Sequence, residues 1–168
     1  MRYMRKMSST ITSYWKILEG VTDPEIPVLS ITDLGIVRNV EAIDDTIIVT
    51  ITPTYGGCPA MDMIAVNIKA AFQDEGHDNV VIKTVLSPPW TTDWLTESGK
   101  AKLLEYGIAP PMEKSTDKSF ITNEHKAVAC PRCQSYNTSL ISLFGSTACK
   151  AIYKCLDCLE PFDYFKCH

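Results

Sequence analysis

Two Cys-x-x-Cys motifs near the C-terminal end constrain the fold of this chain more than any other feature. Cys130-Pro-Arg-Cys133 and Cys155-Leu-Asp-Cys158 are separated by 21 residues. Each motif directs two thiolates toward one point, and two such turns complete a tetrahedral sulfur site of the kind that holds zinc. Apolar segments at 139–144 and 151–154 lie between them and can pair as strands. The spacing therefore predicts a zinc ribbon over residues 129–168.

The sequence does not determine which metal this ribbon binds. Forty residues bury too little apolar surface to be stable alone, so a bound metal is expected to supply much of the folding free energy. Zinc is the favoured ion, and an iron–sulfur cluster is the alternative, because sulfur ligands also hold iron. Cys149 is a possible additional ligand, and a buried structural thiol is an equally good interpretation. Cys167 lies next to the last residue, where metal binding is less expected.

Composition excludes several classes of function. Sixteen basic and twenty acidic residues among 168 give a net charge of −4, which argues against binding to nucleic acid or to an anionic membrane surface. The odd count of seven cysteines disfavours a disulfide framework. No apolar stretch follows the N-terminal basic residues, which disfavours a secretory signal. No apolar run is long enough to span a bilayer. We therefore expect a cytoplasmic protein that uses its cysteines for metal or redox chemistry.

The region before the ribbon is typical of an α+β domain. A helix is predicted from Thr10 to Glu19, and strands on both sides of Asp44-Asp45 predict a hairpin whose second strand, TIIVTIT, alternates with period two. A helical pattern follows Pro59, then a strand over 80–86, which favours a parallel pair joined by a right-handed crossover. A further helix is expected to begin at Thr92 or Asp93 and to end at Gly107. The apolar face predicted for the helix after Pro59 comprises Met61, Ile64, Ala65, Ile68, Ala71 and Phe72.

These patterns predict two domains of different size. Residues 1–108 form a small mixed sheet of three or four strands packed with helices, and residues 129–168 form the metal-binding ribbon. The intervening residues 109–128 contain two prolines and no apolar periodicity, so we expect a linker.

Cys58 is the single cysteine before the ribbon, among residues 1–129. It lies between a strand and a helix, and Pro59 suits the first helical position, which would make Cys58 the N-cap. Amide donors and the positive end of the helix dipole would then stabilise a thiolate. A nucleophilic or metal-ligating cysteine is favoured over an inert capping residue. Asp23 and Glu25, in a proline-stiffened loop, either face this cysteine or simply begin a turn.

Two motifs resemble a known family when they are found together. DPEIPVLSITDLGIV, from Asp23 to Val37, and TPTYGGCPAM, from Thr52 to Met61, are similar to the MIP18 family, also called DUF59, whose members act in iron–sulfur cluster assembly. The resemblance implies a MIP18-like fold over roughly residues 10–108. It also implies that Cys58 is the family's reactive cysteine and that Asp23 and Glu25 are its acidic motif.

The tail narrows the resemblance to the PaaD family of phenylacetate-degradation proteins. CPRC, LISLFGSTACKAIYKC and EPFDYFK carry this similarity, which extends over nearly the full length. It implies a non-catalytic accessory protein that matures phenylacetyl-CoA epoxidase, with transient iron or an iron–sulfur cluster on Cys58. The implied partners are epoxidase subunits, iron–sulfur assembly proteins and, as an open question, a second copy of the chain. The alternatives are a structural epoxidase subunit, an iron–sulfur redox component and, least favoured, a thiol enzyme.

Overall fold

The structure is a computed structural model that describes residues 2–111 and 128–166. The chain divides into two compact units, Met1–Trp90 and Thr91–His168. Most of the predicted linker, residues 112–127, lies outside the described residues, as do Cys167 and His168. No helix of the described part has the length and hydropathy that crossing a membrane requires.

The first unit is a three-stranded mixed sheet with helices. Helix α1 spans Arg2–Glu19, strands β1 and β2 span Val37–Ile43 and Thr46–Ile51, helix α2 spans Ala60–Asp74, and β3 spans Val80–Thr84. The strand order is β1-β2-β3, with β1 antiparallel and β3 parallel to β2. The predicted hairpin and the predicted strand–helix–strand unit are thus confirmed, whereas α1 begins eight residues before the predicted start at Thr10.

Periodicity explains how the core of this unit forms. Ile47, Val49 and Ile51 point to the buried face of β2, as the alternation of the sequence predicts. Along α2, Ala60, Ile64, Ile68 and Phe72 are buried at intervals of four residues. The sheet and the helix therefore close an apolar core that fixes the loop between β2 and α2, and this loop carries Cys58.

The second unit contains a helix and a four-stranded sheet. A 3-10 turn at Thr92–Trp94 precedes helix α3, Glu97–Tyr106. Strands β4 to β7 then span Ile108–Ala109, Thr138–Ser142, Lys150–Cys155 and Pro161–Phe165, in the order β4-β7-β6-β5. The predicted pairing of the two strands between the cysteine motifs is confirmed as antiparallel β5 and β6.

Two features of this unit differ from the sequence prediction. Helix α3 begins after Thr96, whose side chain accepts a hydrogen bond of 2.9 Å from the Gly99 amide, so the predicted start at Thr92 or Asp93 was wrong. The two units separate after Trp90 rather than after residue 108. The reason is that β4 pairs in parallel with β7, which ties the helix before it to the second sheet.

Candidate metal centre and reactive cysteine

The four cysteines of the two Cys-x-x-Cys turns converge at one end of the second sheet. Thr138, which begins β5, pairs with Cys155, which ends β6, so the turn before β5 meets the turn after β6. The sulfur atoms of Cys130, Cys133, Cys155 and Cys158 all lie within 4.8 Å of one another. Cys130 and Cys155 are fully buried, whereas Cys133 and Cys158 are exposed. One side of the site is therefore sealed by the core and the other is open to solvent.

The two turns have the same local geometry, which the sequence did not reveal. The residue after each motif, Gln134 or Leu159, has a left-handed backbone with φ of 62° or 64°. Left-handed conformations are costly for residues other than glycine, so both turns hold a strained backbone where the chain leaves the site. The repetition indicates that the two Cys-x-x-Cys turns are equivalent knuckles that share one metal ion.

The sulfur spacing fits a single tetrahedral metal ion. The Sγ atoms of Cys130 and Cys158 are 3.7 Å apart, and those of Cys133 and Cys155 are 3.5 Å apart. A Zn–S bond of about 2.3 Å places tetrahedral sulfurs about 3.8 Å from one another. In an iron–sulfur cluster the cysteines are distributed over several irons and the sulfurs lie farther apart. The donor set and its spacing therefore fit zinc, or another single ion, better than a cluster.

Backbone hydrogen bonds, desolvation and neighbouring thiols shift the pKa values of Cys133, Cys155 and Cys158. The Cys158 amide, which donates to the Cys155 sulfur at 3.5 Å, is the largest cause that lowers the pKa of Cys155 to about 7. The Ser135 amide lowers the pKa of Cys133, but desolvation and the neighbouring thiols outweigh it and raise that pKa to about 12. Four adjacent thiolates thus repel one another unless a cation lies between them.

Polar side chains connect the two knuckles beside the cysteines. Asp157, inside the second motif, accepts hydrogen bonds from Ser135 Oγ and, at 2.7 Å, from Asn137 Nδ2. The bond from Ser135, followed by the bond from Asn137, lowers the pKa of Asp157. A second link joins Arg132 of the first motif to Glu160, with 2.7 Å between Nη1 and Oε1. Neither link was predicted, although an acid inside a Cys-x-x-Cys motif is a signal that could have suggested the first.

Cys149 lies apart from this site. It precedes β6, whereas Cys155 ends it, and six residues of extended chain span about 20 Å. Its sulfur lies 3.1 Å from Thr147 Oγ1, and the side chain is buried. Of the two interpretations that the sequence leaves open for Cys149, the geometry favours the buried structural thiol, because the strand carries it away from the four-cysteine site.

Cys58 is partly exposed in the loop between β2 and α2. The N-cap of α2 is Pro59 and no side chain caps the helix, so the prediction of Cys58 as the N-cap was wrong by one residue. Gly57 has a φ of 82°, a conformation that favours glycine. Next to it, the Cys58 amide donates to the Tyr55 carbonyl at 3.4 Å. The loop thus presents the thiol at the start of the helix without including it in the helix.

The electrostatics of Cys58 differ from the expectation of a stabilised thiolate. Burial is the largest influence on the thiol and raises its pKa above the ordinary value of 9.0. Hydrogen bonds from the Ala60 backbone and the Tyr55 side chain oppose this rise without cancelling it. The prediction assigned a low pKa from the helix terminus alone and could not include the desolvation that the folded core imposes.

Asp23 and Glu25 are brought within electrostatic reach of this thiol. The charges of Glu25 and Asp23 both contribute to the raised pKa of Cys58. Asp23 is buried, and its Oδ1 accepts hydrogen bonds from the amides of Glu25 at 2.7 Å and Ile26 at 2.9 Å. The two predicted roles of this segment therefore coexist, because Asp23 begins a turn while both carboxylates act on Cys58.

Sequence reasoning also left two residues of this loop without a role. Tyr55 hydrogen-bonds the Cys58 sulfur, and its place three residues before the cysteine was the only signal available. Thr52, where the loop begins, has a buried hydroxyl that finds no hydrogen-bond partner within the described chain. Trp90 is a core residue and donates from Nε1 to the Leu34 carbonyl at 2.8 Å.

A cavity of 340 Å³ lies elsewhere in the first unit. Its lining includes Tyr14, Asp44, Asp45 and His77, at the hairpin end of the sheet. None of its lining residues belongs to the predicted sites.

Both parts of the chain match known protein families. Residues 15–81 match the family described as iron-sulfur cluster assembly protein, and residues 114–166 match the PaaD zinc beta ribbon domain. The latter match and the four-cysteine cluster support metal binding by the second unit.

Individual proteins and a solved structure are also similar to this chain. An Escherichia coli (strain K12) protein, named as a subunit of "Putative 1,2-phenylacetyl-CoA epoxidase", is 49% identical over 91% of this chain and 90% of its own length. A "Fe-S protein maturation auxiliary factor" of Porphyromonas gingivalis is 34% identical over 52% of this chain and 85% of its own. The crystal structure of a DUF59 domain from Bacillus anthracis, 25% identical, superposes with a TM-score of 0.55 over 60% of this chain and 96% of that domain.

These findings agree with the mixed α+β architecture and with an accessory role connected with iron–sulfur proteins. The chain therefore belongs to the family of its Escherichia coli relative, and in it an iron–sulfur cluster assembly (DUF59) domain is followed by a PaaD zinc ribbon.

Proposed function

We propose that this protein is a non-catalytic maturation factor that delivers iron or an iron–sulfur cluster to the phenylacetyl-CoA epoxidase system. The observation that carries the proposal is that one chain contains both a DUF59 domain and a PaaD-type ribbon. The single cysteine of the DUF59 domain lies near two carboxylates. The name of the Escherichia coli relative supports the epoxidase as the client. The names of the shorter relatives support iron–sulfur maturation as the activity.

Cys58 would hold the cargo transiently. A thiol must lose its proton to bind a metal, and a raised pKa weakens metal binding at neutral pH. The carboxylates of Asp23 and Glu25 oppose ionisation of the thiol but attract a cation that replaces its proton. This combination suits a site that accepts iron and releases it again.

The Cys58 site would be completed by another protein. Among the described residues, the four ribbon cysteines form the one group of close ligand atoms that could hold a metal; Cys58, Asp23 and Glu25 do not form another. A cargo on Cys58 therefore needs ligands from elsewhere. Iron–sulfur assembly proteins, the epoxidase client or a second copy of the chain would supply them.

The ribbon would serve as a docking element stabilised by zinc on Cys130, Cys133, Cys155 and Cys158. Its knuckles carry three exposed apolar side chains, Tyr136, Leu156 and Leu159, which are 56%, 48% and 64% exposed. Exposed apolar side chains near one another are typical of protein contacts. We propose that epoxidase subunits bind here while the first unit presents the cargo.

A matched pair of variants tests the role of Cys58. Cys58→Ser should leave the fold and the ribbon metal unchanged but abolish maturation of the epoxidase in cells, measured as growth on phenylacetate and as iron content of the purified oxygenase. Cys149→Ser, which also replaces a cysteine outside the metal site, should mature the epoxidase normally. Normal growth of the Cys58→Ser strain would overturn the carrier proposal.

The word "subunit" in the name of the Escherichia coli relative favours one second candidate, a structural subunit that transfers nothing. Stoichiometric co-purification with the oxygenase at high salt, together with normal iron content in the Cys58→Ser strain, would select this candidate.

A further inference from the structure

A polar link connects the two knuckles of the four-cysteine site. Asp157 belongs to the second knuckle, and its partners Ser135 and Asn137 follow the first knuckle directly. The Asn137 backbone amide also donates to the Ser135 hydroxyl oxygen at 3.0 Å, so the three residues form one connected network around the Asp157 carboxylate. The network therefore bridges two turns that are otherwise joined near the metal mainly by backbone.

The same segment is also fixed to the ligands through the backbone. The Cys130 amide donates to the Ser135 carbonyl at 2.9 Å, and the Leu156 amide donates to the Asn137 carbonyl at 2.8 Å. Because Cys130 is a candidate ligand and Leu156 follows another, a displacement of this segment moves a sulfur on each side of the site.

We propose that Asp157 is a positioning residue of the metal site, which locks the two knuckles at the separation that tetrahedral sulfur ligands require. The proposal rests on the assignment of the four cysteines as metal ligands but not on the transfer role of Cys58. Hydrogen bonds to a carboxylate are stronger than those between neutral groups, and outer-shell partners hold metal ligands in place in other proteins. No ligation by Asp157 itself is involved.

The charge of Asp157 alone would have the opposite effect. Four thiolates around a divalent ion carry a net charge of −2, and a nearby carboxylate repels that charge. Removing the carboxylate should therefore slow metal loss if Asp157 acts only through its charge. If Asp157 positions the knuckles, its removal should accelerate metal loss, so the sign of the effect separates the two explanations.

Glu160→Gln provides a matched control. It removes an acid from the other link between the knuckles, the Arg132–Glu160 pair, whose side chains are 67% and 46% exposed. Exposed ion pairs contribute little. The Cys155 amide bonds the backbone carbonyl of Glu160, and this contact is kept in the variant.

The experiment measures zinc release from the full-length protein to a chromophoric chelator, with the thiolate–cobalt spectrum of the cobalt-loaded protein as a geometric readout. We expect Asp157→Ala to release zinc about tenfold faster and to alter the cobalt spectrum, whereas Glu160→Gln stays within about twofold of the wild type. In a Ser135→Ala/Asn137→Ala background, the Asp157→Ala substitution should no longer accelerate zinc release.

Three results would overturn the inference: slower or unchanged release from Asp157→Ala, equal acceleration by Glu160→Gln, or an undiminished effect of Asp157→Ala when its partners are absent. If Asp157→Ala retains no zinc at all, the milder Asp157→Asn variant takes its place under the same criteria. A wild-type protein that binds no metal on four thiolates would instead refute the metal assignment. Loss of maturation by Cys58→Ser bears on the proposed function alone, so the two can fail separately.

Discussion

At the scale of single residues, the environment of Cys58 keeps a proton on the thiol, and the proposed function requires the same environment to attract a metal ion. Burial raises its pKa most, and the charges of Glu25 and Asp23 raise it further. The same charges lower the free energy of a positive ion near the sulfur. An isolated Cys58 is therefore a protonated, weakly reactive thiol at neutral pH, and under the proposed function it would become a ligand when iron displaces the proton.

The raised pKa predicts how Cys58 reacts with an alkylating reagent. Because the thiolate is the reactive species, the rate of carbamidomethylation should increase with pH and reach half its maximum above pH 9.0, the ordinary thiol value. Glu25→Gln removes a charge that opposes ionisation, so it should lower the pKa and accelerate the reaction at pH 8. Site-resolved mass spectrometry of zinc-loaded protein measures the rate at Cys58.

Glu41→Gln is the control for this substitution, since it removes an exposed carboxylate from β1 and should leave the rate unchanged. A half-maximal rate below pH 8, or a slower reaction in Glu25→Gln, would contradict the electrostatic account of the site.

At the scale of elements, helix α2 connects the core to the loop that carries Cys58. Ile68 is fully buried on its inner face, and Val66, two residues earlier, is 60% exposed. Ile68→Ala removes buried apolar atoms and leaves a cavity, so the free energy of unfolding of the first unit should fall by about 2–5 kcal/mol. Denaturant titration of the purified protein measures this change.

Val66→Ala is the matched control on the outer face of α2. The wild-type side chain is mostly exposed, and alanine has the higher helix propensity, so a change within about 0.5 kcal/mol is expected. Equal destabilisation by the two variants would mean that the outer face of α2 is also packed against something in solution.

The sequence predicted those elements whose patterns are local. The alternation of β2, the four-residue spacing in α2 and the spacing of the cysteine motifs all survive in the structure because each reflects a single element or turn. The pairing of β4 with β7 was not predictable, because two residues carry no periodicity and their partner is about fifty residues away. The pKa of Cys58 and the position of Cys149 depend on burial and strand length, which only the folded chain defines.

At the scale of the whole molecule, the two units differ in what stabilises them. The first unit has an extensive core of large aliphatic and aromatic side chains, including Leu18, Ile64, Ile68 and Phe72. The core of the second sheet is small and includes two of the candidate ligands, Cys130 and Cys155, beside Tyr153 and Phe162. We therefore expect metal binding and core formation to be the same event in the ribbon, and the first unit to fold without metal.

This difference predicts the effect of removing the metal. Chelation should unfold the ribbon, since four thiols without a cation repel one another and the remaining core is too small to compensate. Amide resonances of β5, β6 and β7 should lose their dispersion in a two-dimensional NMR spectrum, while those of β1, β2 and α2 stay in place. Adding zinc back should restore the spectrum, and Cys155→Ser should reproduce the chelated state without chelator. A ribbon that keeps its resonances after complete removal of the metal would show that its aromatic core is sufficient for folding. If the first unit instead unfolds together with the ribbon, the two units are one cooperative structure.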